Sequence, residues 1–391
     1  MGDNSILIVA GEASGDEHAA GLIKEVKHLY PETRLEWYGS GGREMAGQGV
    51  DLMADVRDLA AIGPRAAMAH LPSYWKLYRG LQKRARRQRP KVAILVDFPE
   101  FNLLLARRLK KMTIPVCYFI SPQIWAWRSS RVKKVRRYVD RMLVILPFEE
   151  DFYRRHGVRA RYVGNPTAAR LGLRPAARPQ PGHAPLVALL PGSRTKEVEQ
   201  ILPLQMETAR QVVQKAAQAG LAQPRFRLAA APTIDLAVLR SQVEQWMRGR
   251  GVRFEVEFVQ DEIRKALAGV DFALVKSGTS TLEAMILQVP FAMLYRMSLT
   301  SWLFGRVLVD VDTYCLANIV AGRRIVNEFV QFGARPSAMA DHIVEHLADA
   351  RKAEAMRLRL AEGARRMGQG DAYREAARCL GDWIEKEKEA A

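Results

Sequence analysis

The sequence predicts an α/β protein built from two successive open sheets of parallel strands, each covered by helices on both faces. Short apolar runs, often β-branched, alternate with longer amphipathic segments along the chain. The alternation stops in a stretch rich in Pro, Gly and Arg, residues 171–184, and then restarts. Because 391 residues exceed one ordinary domain, two domains joined by this linker are expected.

The first domain is predicted over residues 1–170. Its expected strands are SILIVA, LEWYGS, VAILVDF, PVCYFI and RMLVILP. Amphipathic segments such as EHAAGLIKEVKHLY and NLLLARRLKKM separate several of these runs and are expected to be helices. Parallel strands need crossover connections of this kind, so the order of elements itself favours a parallel sheet.

The second domain is predicted over residues 185–350, and residues 351–391 are expected to form charged C-terminal helices with Trp383 as a late anchor. The expected strands are LVALLPG, RFRLAAA, FEVEFV, DFALVKS and PFAMLYR. Ligands bind at the carboxyl ends of the strands in such sheets. A cleft between the two domains is therefore the expected site.

Composition narrows the class of protein. The chain carries 60 basic and 42 acidic residues, a net charge of +18, which favours a polyanionic partner, either nucleic acid or an anionic membrane face. No apolar run is long enough to cross a membrane, and no secretory leader is expected before the first strand. Three widely spaced cysteines favour neither disulfides nor a metal cage, and they suit a reducing cytoplasm.

Residues 62–91 combine an apolar stripe with many cations. Leu71, Tyr74, Trp75 and Tyr78 recur at near-helical spacing, and seven Lys or Arg residues follow between positions 76 and 89. Such a helix can rest in a bilayer interface, with its aromatic side chains inward and its cations at the headgroups. It can equally pack its stripe on the protein core. An RNA-binding helix is a third reading, without a recognised RNA-binding signature to support it.

The turn after the first strand, GEASGDEH, is glycine-rich and leads into a helix. It matches neither the dinucleotide-binding nor the ATP-binding glycine pattern. Ser14 and Glu17 have the spacing of a capping box. The turn is therefore either a cradle for an anionic ligand or a simple strand-to-helix connection.

Two later turns are suited to phosphate. In LLPGSRTKEVEQ, Ser193 offers a hydroxyl and Arg194 a guanidinium that can contact two phosphate oxygens. In VKSGTSTLEAM, three residues precede a helix and could hold a diphosphate: Ser277, Gly278 and Thr279. Glu283, on the first turn, could accept both hydroxyls of a ribose, although Ser280 and Glu283 also have capping-box spacing. Together the two turns favour a nucleoside-diphosphate compound.

The expected general base is Asp97, which ends a buried strand in ILVDFPEFN. Its apolar surroundings are expected to raise its pKa. Glu100 is an alternative that is expected to be exposed. In the next strand-end loop, SPQIWAWR, Trp125 and Trp127 suit either core packing or contact with a bulky ligand.

No metal or cofactor is expected. The acidic pair in VDVD, residues 309–312, lies outside the strand-end loops and has no further acidic neighbour. The histidines are expected to lack metal-ligand spacing, and His18 is expected on a helix surface.

Seven blocks occur in order over residues 11–323: GEASGD, VDFPEFN, SPQIWAWR, ILPFEEDFY, LPGSRTKEV, SGTSTLE and NIVAGR. This set resembles the lipid-A-disaccharide synthase family, inverting glycosyltransferases of lipopolysaccharide biosynthesis. The resemblance implies two Rossmann-like domains in the GT-B arrangement. It also implies condensation of UDP-2,3-diacylglucosamine with 2,3-diacylglucosamine 1-phosphate (lipid X) to a β-1,6 disaccharide, with release of UDP.

The resemblance also implies roles for matching residues. Asp97 would be the base on the acceptor 6-hydroxyl, and Asn318 would line the UDP site. The other UDP-binding residues implied are Ser193, Arg194, Ser277, Gly278, Thr279 and Glu283. Those implied for the acceptor are Glu12, Ser14, Gly15 and Asp16.

Location and assembly are implied as well. Family members associate peripherally with the cytoplasmic face of the inner membrane, for which Met68, Leu71 and Trp75 are the expected contacts here. The C-terminal helices are expected either to pack back on the first domain or to exchange within a homodimer.

Four positions depart from the family pattern, and they bear on acyl-chain preference and the shape of the cleft: Phe98, Glu100, Asn165 and Ala317. Two other readings remain open at this point. One is a GT-B enzyme acting on UDP-N-acetylglucosamine, of the peptidoglycan transferase or 2-epimerase type. The other is a basic nucleic-acid-binding protein.

Overall fold

A computed structural model describes residues 4–56, 71–125, 131–180, 182–297 and 313–385. The chain forms two compact units. The first comprises residues up to Pro166 together with those from Gly370 onward, and the second runs from Thr167 to Gln369.

The first unit contains a seven-stranded parallel sheet in the order β3-β2-β1-β4-β5-β6-β7. Its strands are β1 (Ser5–Val9), β2 (Glu36–Gly41), β3 (Asp51–Asp55), β4 (Val92–Val96), β5 (Val116–Phe119), β6 (Arg141–Val144) and β7 (Ala160–Tyr162). Five of these strands were predicted. The two edge strands β3 and β7 were not, because their sequences DLMAD and ARY are short and partly polar and resemble loops.

Helices cover both faces of this sheet. They are α1 (Ala13–Leu29), α2 (Arg43–Gly47), α3 (Leu71–Gln88), α4 (Pro99–Lys111), α5 (Val132–Tyr138) and α6 (Pro147–Arg155). Alternate strand residues serve opposite cores: Leu7 packs in a cluster that includes α3 and α4, whereas Ile6 packs in a cluster that includes α1. Strands buried on both faces explain why these runs are continuously apolar.

Helix α3 contains the part of residues 62–91 that the structure describes. Leu77 and Leu81 are buried, and Tyr74 and Tyr78 pack against the same core. Most of the stripe therefore packs on the protein. Trp75 differs: it is 53% exposed, with its ring stacked on that of Tyr78 at 5.2 Å. Met68 lies outside the described residues.

The second unit contains a six-stranded parallel sheet in the order β10-β9-β8-β11-β12-β13. Its strands are β8 (Leu186–Leu190), β9 (Arg225–Ala230), β10 (Val256–Gln260), β11 (Phe272–Lys276), β12 (Phe291–Tyr295) and β13 (Glu328–Val330). Its helices are α7 (Pro166–Leu171, which starts at the unit boundary), α8 (Thr195–Gln218), α9 (Leu236–Arg248), α10 (Ile263–Leu267), α11 (Ser280–Ile286), α12 (Leu316–Ala321), α13 (Pro336–Ala348) and α14 (Ala350–Arg366). The edge strand β13 was not predicted.

The chain then returns to the first unit with α15 (Ala372–Arg378) and α16 (Gly381–Ile384). Leu380 and Ile384 are buried in the cluster that includes α1. The Arg141 guanidinium lies 4.6 Å from the centre of the Trp383 ring, and His18 Nδ1 lies 2.9 Å from the Tyr373 hydroxyl. The C-terminal helices are thus part of the first unit's core.

Two predicted absences can be compared with the described part of the chain. Within it, no helix is long and apolar enough to cross a membrane. All three cysteines are buried and carry free thiols: Cys117, Cys315 and Cys379.

Candidate functional site

Each sheet has a topological switch point, and the predicted site residues follow the strands that create it. The strand order reverses between β1 and β4 in the first unit, and between β8 and β11 in the second. Loops that leave adjacent strands in opposite directions open a crevice at the carboxyl ends, where ligands bind. Glu12 follows β1, Asp97 follows β4, Arg194 follows β8, and Ser277 follows β11.

The main chain at Asp97 has an unusual conformation. Asp97 has φ 44° and Phe98 has φ 51°, so two successive non-glycine residues are left-handed. The Asp97 carbonyl accepts a hydrogen bond from Asn102 Nδ2 at 2.8 Å and another from the Tyr118 hydroxyl. Sparsely populated backbone of this kind clusters at functional sites.

Electrostatics make Asp97 a suitable base. Burial, and to a lesser extent the negative charge of Glu12, raise the pKa of its carboxyl to about 6, against a hydrogen bond from the Phe98 amide that lowers it. A carboxylate with a pKa near 6 is mostly ionised at neutral pH, yet it is basic enough to accept a proton. Glu100, the alternative, is exposed as expected and pairs with Arg131.

The loops after β1 and β4 are in direct contact through Gly11 and Phe98. A Cβ on Gly11 would lie 2.3 Å from the Phe98 ring, so only glycine allows the ring to lie over the turn. The ring also stacks on Phe101 at 5.4 Å and lies 5.9 Å from Tyr74. The glycine of the opening turn therefore serves the close approach of the loop that carries Asp97.

The remaining acceptor-side residues divide by exposure. Glu12 and Ser14 are exposed, whereas Gly15 and Asp16 are buried. The capping-box prediction is wrong: Glu12 is the N-cap of α1, so Ser14 lies within the first helical turn. The helix begins at Ala13, one residue before the serine that was expected to cap it.

Asp16 has a structural task. Its carboxylate accepts hydrogen bonds from the backbone amides of Gly42, Glu44 and Met45 at 2.7, 3.0 and 3.1 Å. These amides start the short helix α2, where a carboxylate is favoured. Asp16 thus fixes the neighbouring strand-end loop and shapes the crevice.

In the second unit, the turn before α8 carries Ser193 and Arg194. The Arg194 side chain is exposed and 3.6 Å from Glu197, whose carboxylate also accepts the Ser193 amide at 3.2 Å. The other oxygen of Glu197 contacts Lys276 Nζ at 2.8 Å. Gly192 has φ 125°, a conformation that favours glycine.

The Glu197–Lys276 ion pair joins the two phosphate-suited turns, and sequence reasoning missed it. Burial raises the pKa of Glu197, but the hydrogen bond and charge of Lys276 outweigh it, so the pKa is lowered overall. Glu197 is therefore a fixed anion at neutral pH. The sequence feature that indicates this ion pair is the lysine directly before SGTST, at the end of a strand.

The turn after β11 begins with Ser277, whose hydroxyl donates to the Tyr314 carbonyl at 2.9 Å. Gly278 has φ 152°, and among the described residues no atom lies within 4 Å of the position of a Cβ there. The exposed Thr279 is the N-cap of α11, so the predicted capping box at Ser280 is wrong. The turn thus has room for a ligand next to a helix start.

Glu283 lies on the first turn of α11. Its carboxylate accepts a hydrogen bond from Arg170 at 2.8 Å, a partner that sequence reasoning missed. Burial raises the pKa of Glu283, and Arg170 and Ser280 only partly oppose this shift. A ribose hydroxyl pair would compete with Arg170 for the carboxylate.

Asn318 is buried, and its side chain is fully engaged. Its Oδ1 accepts the amides of Ile325 and Val326 at 2.8 and 3.0 Å, and its Nδ2 donates to the Val326 carbonyl and to Glu328 at 3.0 and 2.7 Å. Glu328 in turn accepts the Tyr314 amide at 2.8 Å. Asn318 therefore supports the Ser277 turn through Tyr314, and its amide has no further hydrogen bond to give.

The comparison with protein families decides the identity. A model of the lipid-A-disaccharide synthetase family matches residues 6–378, nearly the whole chain. The chain belongs to this family. It is 40% identical over 378 residues to the lipid-A-disaccharide synthase of Myxococcus xanthus, covering 95% of both chains. It is 40% identical to the synthase of Anaeromyxobacter dehalogenans over 391 residues, covering 97% of both.

Solved structures show the fold. A putative UDP-N-acetylglucosamine 2-epimerase from Listeria monocytogenes superposes with a TM-score of 0.61 at 13% identity, over 98% of both chains. Acinetobacter baumannii MurG superposes with a TM-score of 0.59 at 11% identity, over 97% of this chain and 99% of that one. The prediction of two Rossmann-like units of GT-B type with a helical C-terminal part is confirmed. So is the prediction of a glycosyltransferase of lipid A biosynthesis, since the family match outweighs both rival readings.

A buried acid in the first unit of this synthetase-family chain escaped sequence reasoning. Glu149, after β6, accepts hydrogen bonds from Trp125 Nε1 at 3.0 Å and the Leu146 amide at 3.1 Å. Burial raises its pKa to about 8, against these hydrogen bonds, and so favours its neutral form. Trp125 is thus held in place by an internal contact, while Trp127 lies outside the described residues.

The expectation that the histidines lack metal-ligand spacing is wrong. His342, Glu345 and His346 lie on one face of α13, with ligand atoms within 4.8 Å of one another. Glu345 is paired with Lys352, and His346 contacts Phe272, the first residue of β11. The cluster therefore lies near the amino end of β11, whereas the switch-point crevice opens at the carboxyl ends of the strands. The VDVD segment lies outside the described residues.

Proposed function

We propose that this chain transfers 2,3-diacylglucosamine from UDP to the 6-hydroxyl of 2,3-diacylglucosamine 1-phosphate. The product is the β-1,6 disaccharide 1-phosphate, formed with inversion, and UDP is released. The observation that carries the proposal is a half-buried carboxyl, Asp97, with a raised pKa at the first switch point. The curated relatives are named lipid-A-disaccharide synthases, which supports the formation of a lipid A disaccharide.

In the proposed reaction, Asp97 takes the hydroxyl proton as the acceptor oxygen attacks the anomeric carbon of the donor. The new carbon–oxygen bond forms as the bond to the diphosphate breaks on the opposite face. Glu12 contributes by keeping Asp97 basic. With Ser14 and Gly15, it belongs to the turn assigned to the acceptor, and Asp16 supports that turn.

Negative charge grows on the departing diphosphate during the reaction. Groups that bind this charge therefore stabilise the transition state more than the bound substrate. The proposal assigns this task to Arg194, Ser193 and the helix start at residues 277–279. Glu283 is assigned to the ribose, and Asn318 to support of the turn. The proposal invokes no metal or cofactor.

Both substrates carry acyl chains, which favour the bilayer by about 0.8 kcal/mol per methylene. We therefore propose peripheral association with the cytoplasmic face of the inner membrane rather than binding to nucleic acid. Exposed Trp75, together with Met68 and Leu71, is the proposed contact, aided by the net charge of +18. A homodimer is part of the same proposal.

The test uses the full chain with both acylated sugars in mixed micelles, and it measures released UDP. Asp97→Asn should abolish turnover and leave UDP affinity unchanged, because the base is not part of the UDP site. Glu100→Gln, one turn away and exposed, is the matched control and should remain active. Near-normal turnover by Asp97→Asn would exclude this base, and transfer from UDP-N-acetylglucosamine without acyl chains would favour the rival substrate class.

A further inference from the structure

We propose that Asn102 is a positioning residue: its buried amide holds the main chain at Asp97 in the left-handed conformation that presents the carboxylate to the acceptor. This inference rests on the proposed role of Asp97 as the base. The proposed role of Asn102 involves no contact with a substrate, because Asn102 acts only through the loop.

The loop needs an external hold. Asp97 and Phe98 are both left-handed, with φ of 44° and 51°, and neither is glycine. Such residues persist where the surrounding structure over-determines them. Without that hold, the chain between β4 and α4 would relax toward extended geometry and redirect the carboxyl group.

Asn102 supplies the hold from inside α4. Its side chain is fully buried, and Nδ2 donates to the carbonyls of Val96 and Asp97 at 3.2 and 2.8 Å. The backbone N–H of Asn102 donates to the Phe98 carbonyl at 3.0 Å. Three successive carbonyls are thus tied to one residue, and the Tyr118 hydroxyl adds a second hydrogen bond to the middle one.

Stability alone does not account for an amide at this position. Asn102 Oδ1 is buried without a hydrogen-bond partner in the described part of the chain. A buried unpaired oxygen is unfavourable, and a leucine of similar shape would remove it. The feature that leucine could not reproduce is the pair of hydrogen bonds to the strand-end carbonyls.

The decisive variant is therefore Asn102→Leu, which keeps the volume and removes the amide. We expect kcat to fall about 10²-fold, the loss typical of a misplaced catalytic group, with the UDP dissociation constant unchanged. The acid limb of the kcat profile should move to lower pH, because a displaced Asp97 leaves the burial and the Glu12 charge that raise its pKa. Tyr118→Phe should shift both readouts in the same direction to a smaller extent.

The matched control is Gln205→Met in the second unit. Gln205 is also fully buried, donates to a strand carbonyl (Leu274, 2.9 Å) and has an unpaired Oε1. Its effect on stability should be similar to that of Asn102→Leu, but without a shift of the acid limb.

Two results would overturn the inference. One is a kcat for Asn102→Leu within about threefold of the unchanged protein. The other is an equal fall in Gln205→Met with no change in either pH profile, which would indicate a general structural effect. An active Asp97→Asn variant would instead refute the proposed base, so the two failures can be told apart.

Discussion

Replacing Asp97 by Asn should make the folded protein more stable while removing its activity. The reason is the environment of the carboxylate. Folding moves this group from water into a half-buried loop beside Glu12, which raises its pKa from 3.8 to about 6. Asn has nearly the same shape, tolerates left-handed backbone as Asp does, and carries no charge.

The magnitude follows from the shift in pKa. At about 1.36 kcal/mol per pKa unit, the difference between 3.8 and about 6 corresponds to up to about 3 kcal/mol. A raised carboxyl pKa contributes stability that is fully present below the unfolded pKa and is lost as pH rises through the folded pKa. The gain from Asp97→Asn should therefore be complete at about pH 8 and about half as large at about pH 5.

The assay is urea unfolding of the full chain at these two pH values, with the midpoint and the slope compared separately. Glu100→Gln is the control, since Glu100 is exposed and its pair with Arg131 should contribute under about 1 kcal/mol. A gain that is the same at both pH values would refute the argument from desolvation. So would a loss of stability for Asp97→Asn at the higher pH.

Three further predictions concern the same unit. Glu12→Gln should move the acid limb of kcat/KM to lower pH, because the charge that raises the pKa of the base is gone; a fixed limb in rate profiles would contradict this coupling. Gly11→Ala should destabilise by about 1–3 kcal/mol in urea unfolding, since its Cβ would meet the Phe98 ring, and Phe98→Leu in the same chain should recover part of the loss. Trp75→Ser should weaken co-sedimentation with anionic vesicles, whereas Leu104→Ser, equally exposed on α4, should not; equal losses would argue against a specific contact.

The local sequence determined most of the architecture. Strands such as β1 and β4 are buried on both faces, so their composition alone identifies them, and the turns after them carry recognisable glycine, proline and carboxylate patterns. Edge strands such as β3 and β13 were not predicted, because one side of each is solvated and their sequences mix polar and apolar residues. Both capping-box predictions were wrong because the spacing of two residues does not locate the first residue of a helix.

Only the tertiary structure decided what each candidate side chain does. Asp97 is basic because burial and Glu12, far away in sequence, surround it, and its backbone is held by Asn102 and Tyr118. The chemical groups of Asn318 suit contact with a ligand or with its own chain, and only the fold shows that its side chain makes four hydrogen bonds within the chain. Composition and spacing specify which groups are present, whereas desolvation and hydrogen-bond partners depend on atoms that folding brings together.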